Sequence, residues 1–171
     1  MDLMIDLETL GLKPNAAIMQ IGWCTFDLNG ERPTPCAITV NPQTHIDLGA
    51  TVDWGTISWW MKPELGFSLR SILEADAHDI HAALILFCSM LPPTFDRVWA
   101  NGAAFDFPII ENAFRACSFD VPWQYGQVMD MRTVRRLYPN VPQVRPNIPH
   151  NAGSDSVAQA MWLQNAIGGA R

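Results

Sequence analysis

Leu3, Ile5 and Leu7 alternate with Met4, Asp6 and Glu8 over residues 1–8, the period-two pattern of a β-strand. Gly11, Pro14 and Asn15 then break the chain, and the apolar run from Ile18 to Phe26 predicts a second strand ending near the Asn29-Gly30 turn. Cys36 to Val40 gives a third, so the chain opens as an antiparallel three-strand meander. From residue 51 the period changes. A short helix entered from Asp53 is expected over Thr56 to Met61, is interrupted by Pro63, and is followed by a helical stretch over Ser68 to Ala75. His78 to Met90 reads as a longer helix, with Ile80, Leu84, Phe87, Cys88 and Leu91 on one face, stopped by Pro92-Pro93.

Arg97 to Ala100 predicts a short strand leading into Asn101-Gly102. A helix from Phe107 to Cys117 follows, with Asp106 as its candidate N-cap and Pro108 in its first turn, where proline is tolerated. Gln127 to Met129 is the last expected strand, and a helix near Thr133 to Tyr138 comes next. A loop containing Pro139, Pro142, Pro146 and Pro149 delivers His150, and Ser154 to Ala166 closes as a helix with Val157, Ala158, Met161, Trp162 and Ile167 as its apolar stripe. Strands first, then helices alternating with strands, predict an α/β fold: a mixed five-stranded sheet flanked by helices.

Composition narrows the setting. The 171 residues suit one domain, and 49% apolar with 16% charged residues is a globular balance. No apolar run is long enough to cross a bilayer, and the first residues carry neither a basic region nor a cleavable apolar segment, so no membrane association and a cytoplasmic location are expected. Cys24, Cys36, Cys88 and Cys117 form no CxxC pair, which excludes a zinc knuckle or a thioredoxin-like motif and points to buried free thiols. A net charge of −6 argues against general polyanion binding. Locally, however, Arg132, Arg135, Arg136 and Arg145 share a stretch without a single acid that could meet phosphates, or simply face solvent.

Three groups of residues carry candidate chemistry. Asp6 and Glu8, two apart on an apolar strand, share one sheet face, where a divalent cation with its preference for oxygen ligands would relieve their repulsion. Asp106 follows a strand end, the edge where open α/β sheets place ligands. His150, five residues ahead of Asp155 on a helix start, can face the same cavity and take a proton near neutral pH. Each has a plain alternative: acids reaching water, a helix cap, a surface loop. His45, His78 and His81 have no acidic partner at a suggestive spacing and read as structural or exposed.

Taken together, I-D-L-E-T at 5–9, N-G-A-A-F-D at 101–106 and H-N-A-G-S-D at 150–155 resemble the DEDDh 3′-5′ exonucleases of the DnaQ-like, RNase H-like superfamily over nearly the whole chain. W-G-T-I-S-W-W-M at 54–61 and D-M-R-T at 130–133 resemble the compact phage- and mycobacterial-type 3′-5′ exoribonuclease branch, related to RNase T and the nuclease domain of exonuclease VIII. Gly153-Ser154 departs from the bulkier or acidic residues common before the last Asp, a change of packing rather than chemistry. The resemblance implies two divalent cations, Mg²⁺ or Mn²⁺, held by Asp6, Glu8, Asp106 and Asp155, with His150 as general base and nucleoside 5′-monophosphates released from the 3′ end of single-stranded RNA or DNA. It places Thr9 and Leu10 against the terminal nucleotide. Phe105 or the Trp59-Trp60 pair could stack on a base, although helix-to-sheet packing is the plainer role for the tryptophans, and Arg132 either holds a phosphate or pairs with Asp130. Because related enzymes are often dimers, the resemblance also implies that a homodimer is possible. The competing readings are an RNase H-like endonuclease and a non-catalytic nucleic-acid-binding module on a nuclease fold; the choice between RNA and DNA is open.

Overall fold

The first strand of the chain lies in the middle of the sheet. In the computed structural model, which describes residues 1–168, β1 (Asp2–Thr9) pairs antiparallel with β2 (Ile18–Phe26), which pairs antiparallel with β3 (Cys36–Val40). These are the three strands of the expected meander. The short α1 (Pro42–Ile46), α2 (Trp54–Trp60) and α3 (Gly66–Leu73) follow, then the two-residue β4 (Ala77–His78) and α4 (Ile80–Met90). Beyond them come β5 (Arg97–Ala100), α5 (Ala103–Ala116), β6 (Val128–Asp130), α6 (Met131–Leu137) and α7 (Ala152–Leu163), with a π-helical turn over Gln164–Gly168. The strand order is β4-β3-β2-β1-β5-β6, with β5 and β6 parallel to β1.

The sheet has six strands rather than five. The extra one, β4, is a two-residue parallel pairing to the end of β3, too short to leave an alternating pattern. His78 belongs to it, and the following helix starts at Ile80 because the Asp79 side chain accepts from the Ala82 N–H at 3.0 Å. α1 also left no apolar period; it is set by Asn41, whose side chain accepts from the Gln43 N–H at 3.1 Å, and by Pro42 in the first turn.

Alternation along β1 assigns the two faces. Leu3, Ile5 and Leu7 pack with Ile80, Leu84 and Phe87 of α4 and Ile110 and Phe114 of α5. Met4 packs on the other face with Val157, Ala160 and Leu163 of α7. α7 lies unusually close to the sheet: a Cβ on Gly22 would overlap the Ala152 backbone, and one on Gly153 would meet the Cys36 carbonyl oxygen at 2.8 Å. Gln20 pins the same end by accepting from the Ala152 N–H at 2.8 Å. The four cysteines are free, but only Cys24 and Cys117 are buried; Cys36 and Cys88 are half-buried.

Candidate active site

β1, β5 and β6 end at one edge of the sheet, and the candidate residues converge there. The parallel pairing of β1 with β5 stops at Ile5 and Ala100, so Asp6 and Glu8 project beyond it. Both belong to the α7 face, as the period of two requires. Asp155, in the first turn of α7, comes down on them: Asp6, Glu8 and Asp155 each offer an oxygen within 4.8 Å of the others.

Asp106 joins from α5 in a way the sequence did not suggest. It is not the N-cap of that helix, which begins at Ala103, with Gly102 in the capping position. The cap is supplied from another strand, because the Asp130 carboxylate accepts from the Ala103 N–H at 2.8 Å and from the Thr133 N–H at 2.9 Å, fixing the starts of α5 and α6 together. Pro108 consequently lies inside the helix rather than in its first turn. Asp106 is thereby free to turn inward, accepting from the Leu7 N–H at 3.2 Å, and its charge acts on Asp6 and Glu8, although it stands outside the tightest trio.

The electrostatics are those of crowded, desolvated acids. Burial, with Asp106, Glu8 and Asp155 adding repulsion, holds Asp6 well above the ordinary carboxylate range. Burial, then the charges of Asp155 and Asp106, pushes Glu8 up to about 8. Asp106 rises to about 7 through burial, against the Leu7 N–H bond and the nearby Arg132 charge that favour its anion. Asp155 is raised by burial and restrained by His150 and the Asn151 N–H. Among the described residues none of the four forms an ion pair. Four oxygen-donor side chains with no cationic side chain paired to them fit hard divalent cations, which would supply the missing positive charge.

His150 reaches the site on a strained loop, with φ at +54°, and its ring stands edge-on to Trp59 at 4.9 Å and to Trp60 at 6.2 Å. Ser68 of α3 anchors that loop by donating to the Pro149 carbonyl at 2.6 Å. Trp60 is buried and donates to the Thr9 carbonyl at 3.0 Å, which gives it a packing role; Trp59 makes the closer contact with His150, and both rings border a cleft. That cleft, of about 470 Å³, is lined by Glu8, Thr9, Leu12, Trp59 and Phe105 among others. Leu10 does not line it, packing instead beside Trp60, Leu65 and Ile72; Leu12, which the sequence did not single out, lines it in its place.

The basic stretch divides. Arg132 lies over Gly102, where a Cβ would come within 3.0 Å of its guanidinium, and it does not pair with Asp130. Arg135 stacks on Trp162 of α7 at 5.4 Å, while Arg136 and Arg145 are exposed. Of the other histidines, His45 is buried, its Nδ1 accepting from the Ile18 N–H at 3.3 Å, and His78 and His81 are exposed. The residue most plainly missed is Gln159, whose Nε2 donates to Asp6 Oδ1 at 2.7 Å. Its spacing of four from Asp155 on one helix was the available signal.

A central strand bearing two acids, met at its open end by acids from two helices, defines the class by its fold, the RNase H-like fold that DnaQ-like exonucleases share. The chain matches the 3′-5′ exoribonuclease Rv2179c-like domain over residues 1–167 and belongs to that family. Its structure is similar to that of exonuclease X in complex with 5′ overhanging duplex DNA, at a TM-score of 0.61 and 18% identity, covering 99% of this chain and 93% of that one. It is also similar to cell-death related nuclease 4, at a TM-score of 0.57 and 15% identity, covering 98% of this chain; this chain spans 63% of that one. At these identities the likeness is one of fold. No curated protein matches the sequence.

Proposed function

We propose that this chain hydrolyses single-stranded RNA or DNA from the 3′ end, one nucleoside 5′-monophosphate at a time, with Asp6, Glu8, Asp106 and Asp155 holding two Mg²⁺ or Mn²⁺ ions and His150 as general base. The observation that carries this reading is the trio of Asp6, Glu8 and Asp155 oxygens within 4.8 Å of one another in a member of an exoribonuclease family. When bound, the ions would make water more acidic and neutralise charge on the scissile phosphate. His150 takes the proton of the attacking water at a ring nitrogen, and Trp59, packed edge-on, keeps that ring from turning away. The water oxygen then bonds to phosphorus, the bond to the upstream 3′ oxygen breaks, and that oxygen takes a proton from solvent water to leave as a hydroxyl, while His150 returns its proton to solvent.

The cleft beside Glu8 suits the terminal nucleotide, with Phe105 and Leu12 against the base and Thr9 near the sugar. Arg132, at the lip of the site, meets a phosphate. An acidic protein can therefore act on a polyanion, because the scissile phosphate meets cations rather than a lysine-rich surface.

Matched 5′-labelled single-stranded RNA, single-stranded DNA and duplexes, digested with Mg²⁺ or Mn²⁺, test the proposal. A descending ladder from the 3′ end, abolished by EDTA, is expected. Discrete internal cuts would make the chain an endonuclease, and EDTA-insensitive cleavage would overturn the metal assignment.

A further inference from the structure

Gln159 is the side chain that donates to an acid of the cluster. It sits one helical turn beyond Asp155, is buried at 7% exposure, and aims its amide Nε2 at Asp6 Oδ1, 2.7 Å away. Its other end, Oε1, is buried with no hydrogen-bond partner among the described residues. A side chain selected for packing alone would not carry an amide with one end unsatisfied, since an apolar group of the same shape avoids that penalty. The amide is neutral, so it orients the Asp6 carboxylate without cancelling its charge, as a lysine or arginine in its place would. The contact occupies Oδ1 and leaves Oδ2 free. Gln159 is also absent from the lining of the cleft that suits the terminal nucleotide.

We infer that Gln159 is a positioning residue: by donating to Asp6 Oδ1 from α7 it locks the Asp6 carboxylate in the orientation that binds a divalent cation, and so sets cation affinity without touching the nucleic acid. The inference rests on the metal reading above. Hydrogen-bond partners that orient ligating carboxylates govern affinity in metal sites generally, and their loss costs about 10- to 100-fold.

The test is Mn²⁺ binding followed by electron paramagnetic resonance in the parent, Gln159→Leu, Gln159→Asn and Asp155→Ala proteins, with thermal unfolding of each in EDTA. Leucine keeps the volume and removes the donor; asparagine keeps the polarity but withdraws the donor by one methylene. Mn²⁺ affinity is expected to fall at least about tenfold in both Gln159 variants. KM for an oligonucleotide at saturating Mn²⁺ should be unchanged in Gln159→Leu. A residue that only packs would lose thermal stability while keeping Mn²⁺ affinity. Parental Mn²⁺ affinity in either folded Gln159 variant, alongside its loss in Asp155→Ala, overturns the role of Gln159 alone. Parental affinity in Asp155→Ala as well overturns the metal site itself. If Gln159→Leu does not fold, Gln159→Asn decides by the same criterion.

Discussion

Each carboxylate in the site is there against its own electrostatics, which separates activity from stability residue by residue. Burial and three neighbouring acids oppose the charge on Asp6. Asp6→Ala and Asp155→Ala are therefore expected to abolish cleavage while leaving the metal-free protein at least as resistant to heat as the parent, because each removes a repelling charge. Parallel activity and melting measurements check this, and a variant that loses both would mark its acid as structural. His150→Ala is expected to lower kcat by roughly a hundred- to ten-thousand-fold with Mn²⁺ binding retained, the range for loss of a general base. The limb of the pH–rate profile due to imidazole should vanish with it; an unchanged profile would remove His150 from the chemistry. Trp59→Ala should give a smaller loss of kcat in the same direction, because its ring holds His150 without taking the proton.

The elements that deliver these residues depend on how closely α7 approaches the sheet. Gly22→Ala would drive a methyl into the Ala152 backbone, so α7 must lift and carry Asp155 away from Asp6. The expected result is a loss of at least about 1–3 kcal/mol in stability together with most of the activity, measured by denaturant unfolding and ladder assays. Gly153→Ala should act likewise but more mildly, since it meets one carbonyl at 2.8 Å. Gly153 thus explains a departure that the sequence could register only as a change in packing. The meander, the central helices and the acid positions were readable because alternation and helical period are written locally: Leu3, Ile5 and Leu7 mark one face of β1 without reference to anything else. What was not readable depends on partners distant in sequence. Asp106 looked like a cap because nothing near it shows that Asp130 caps α5 from β6. Leu10 and Leu12 are equivalent in sequence until Trp60 and its neighbours claim the first. Gln159 is marked only by its spacing of four from Asp155 until Asp6 lies opposite it.

For the molecule as a whole, the acid cluster couples stability to the proton and, on the proposed function, to a cation. Glu8 and Asp106 bind their protons more tightly folded than unfolded, reaching about 8 and about 7 through burial. Over the range between their ordinary values and these, the native state holds more protons than the unfolded one, so stability falls as pH rises. The metal-free protein should therefore melt progressively lower from pH 5.5 to pH 8, and Mg²⁺ or Mn²⁺ should restore the loss at pH 8 with release of protons. Calorimetric scans with EDTA and with added cation, at both pH values, check the slope and its reversal; a metal-free protein more stable at pH 8 would contradict the assigned burial. The placement of β1 has one more consequence, which concerns time. The strand carrying Asp6 and Glu8 is made before its sheet neighbours, yet its parallel partner comes some ninety residues later and Asp155 later still. No nascent fragment ending before α7 can bring Asp155 to Asp6 and Glu8. On the proposed function, nuclease competence is a late event in biogenesis, and in a refolding experiment the return of cleavage should mark the docking of α7 rather than the collapse of the sheet.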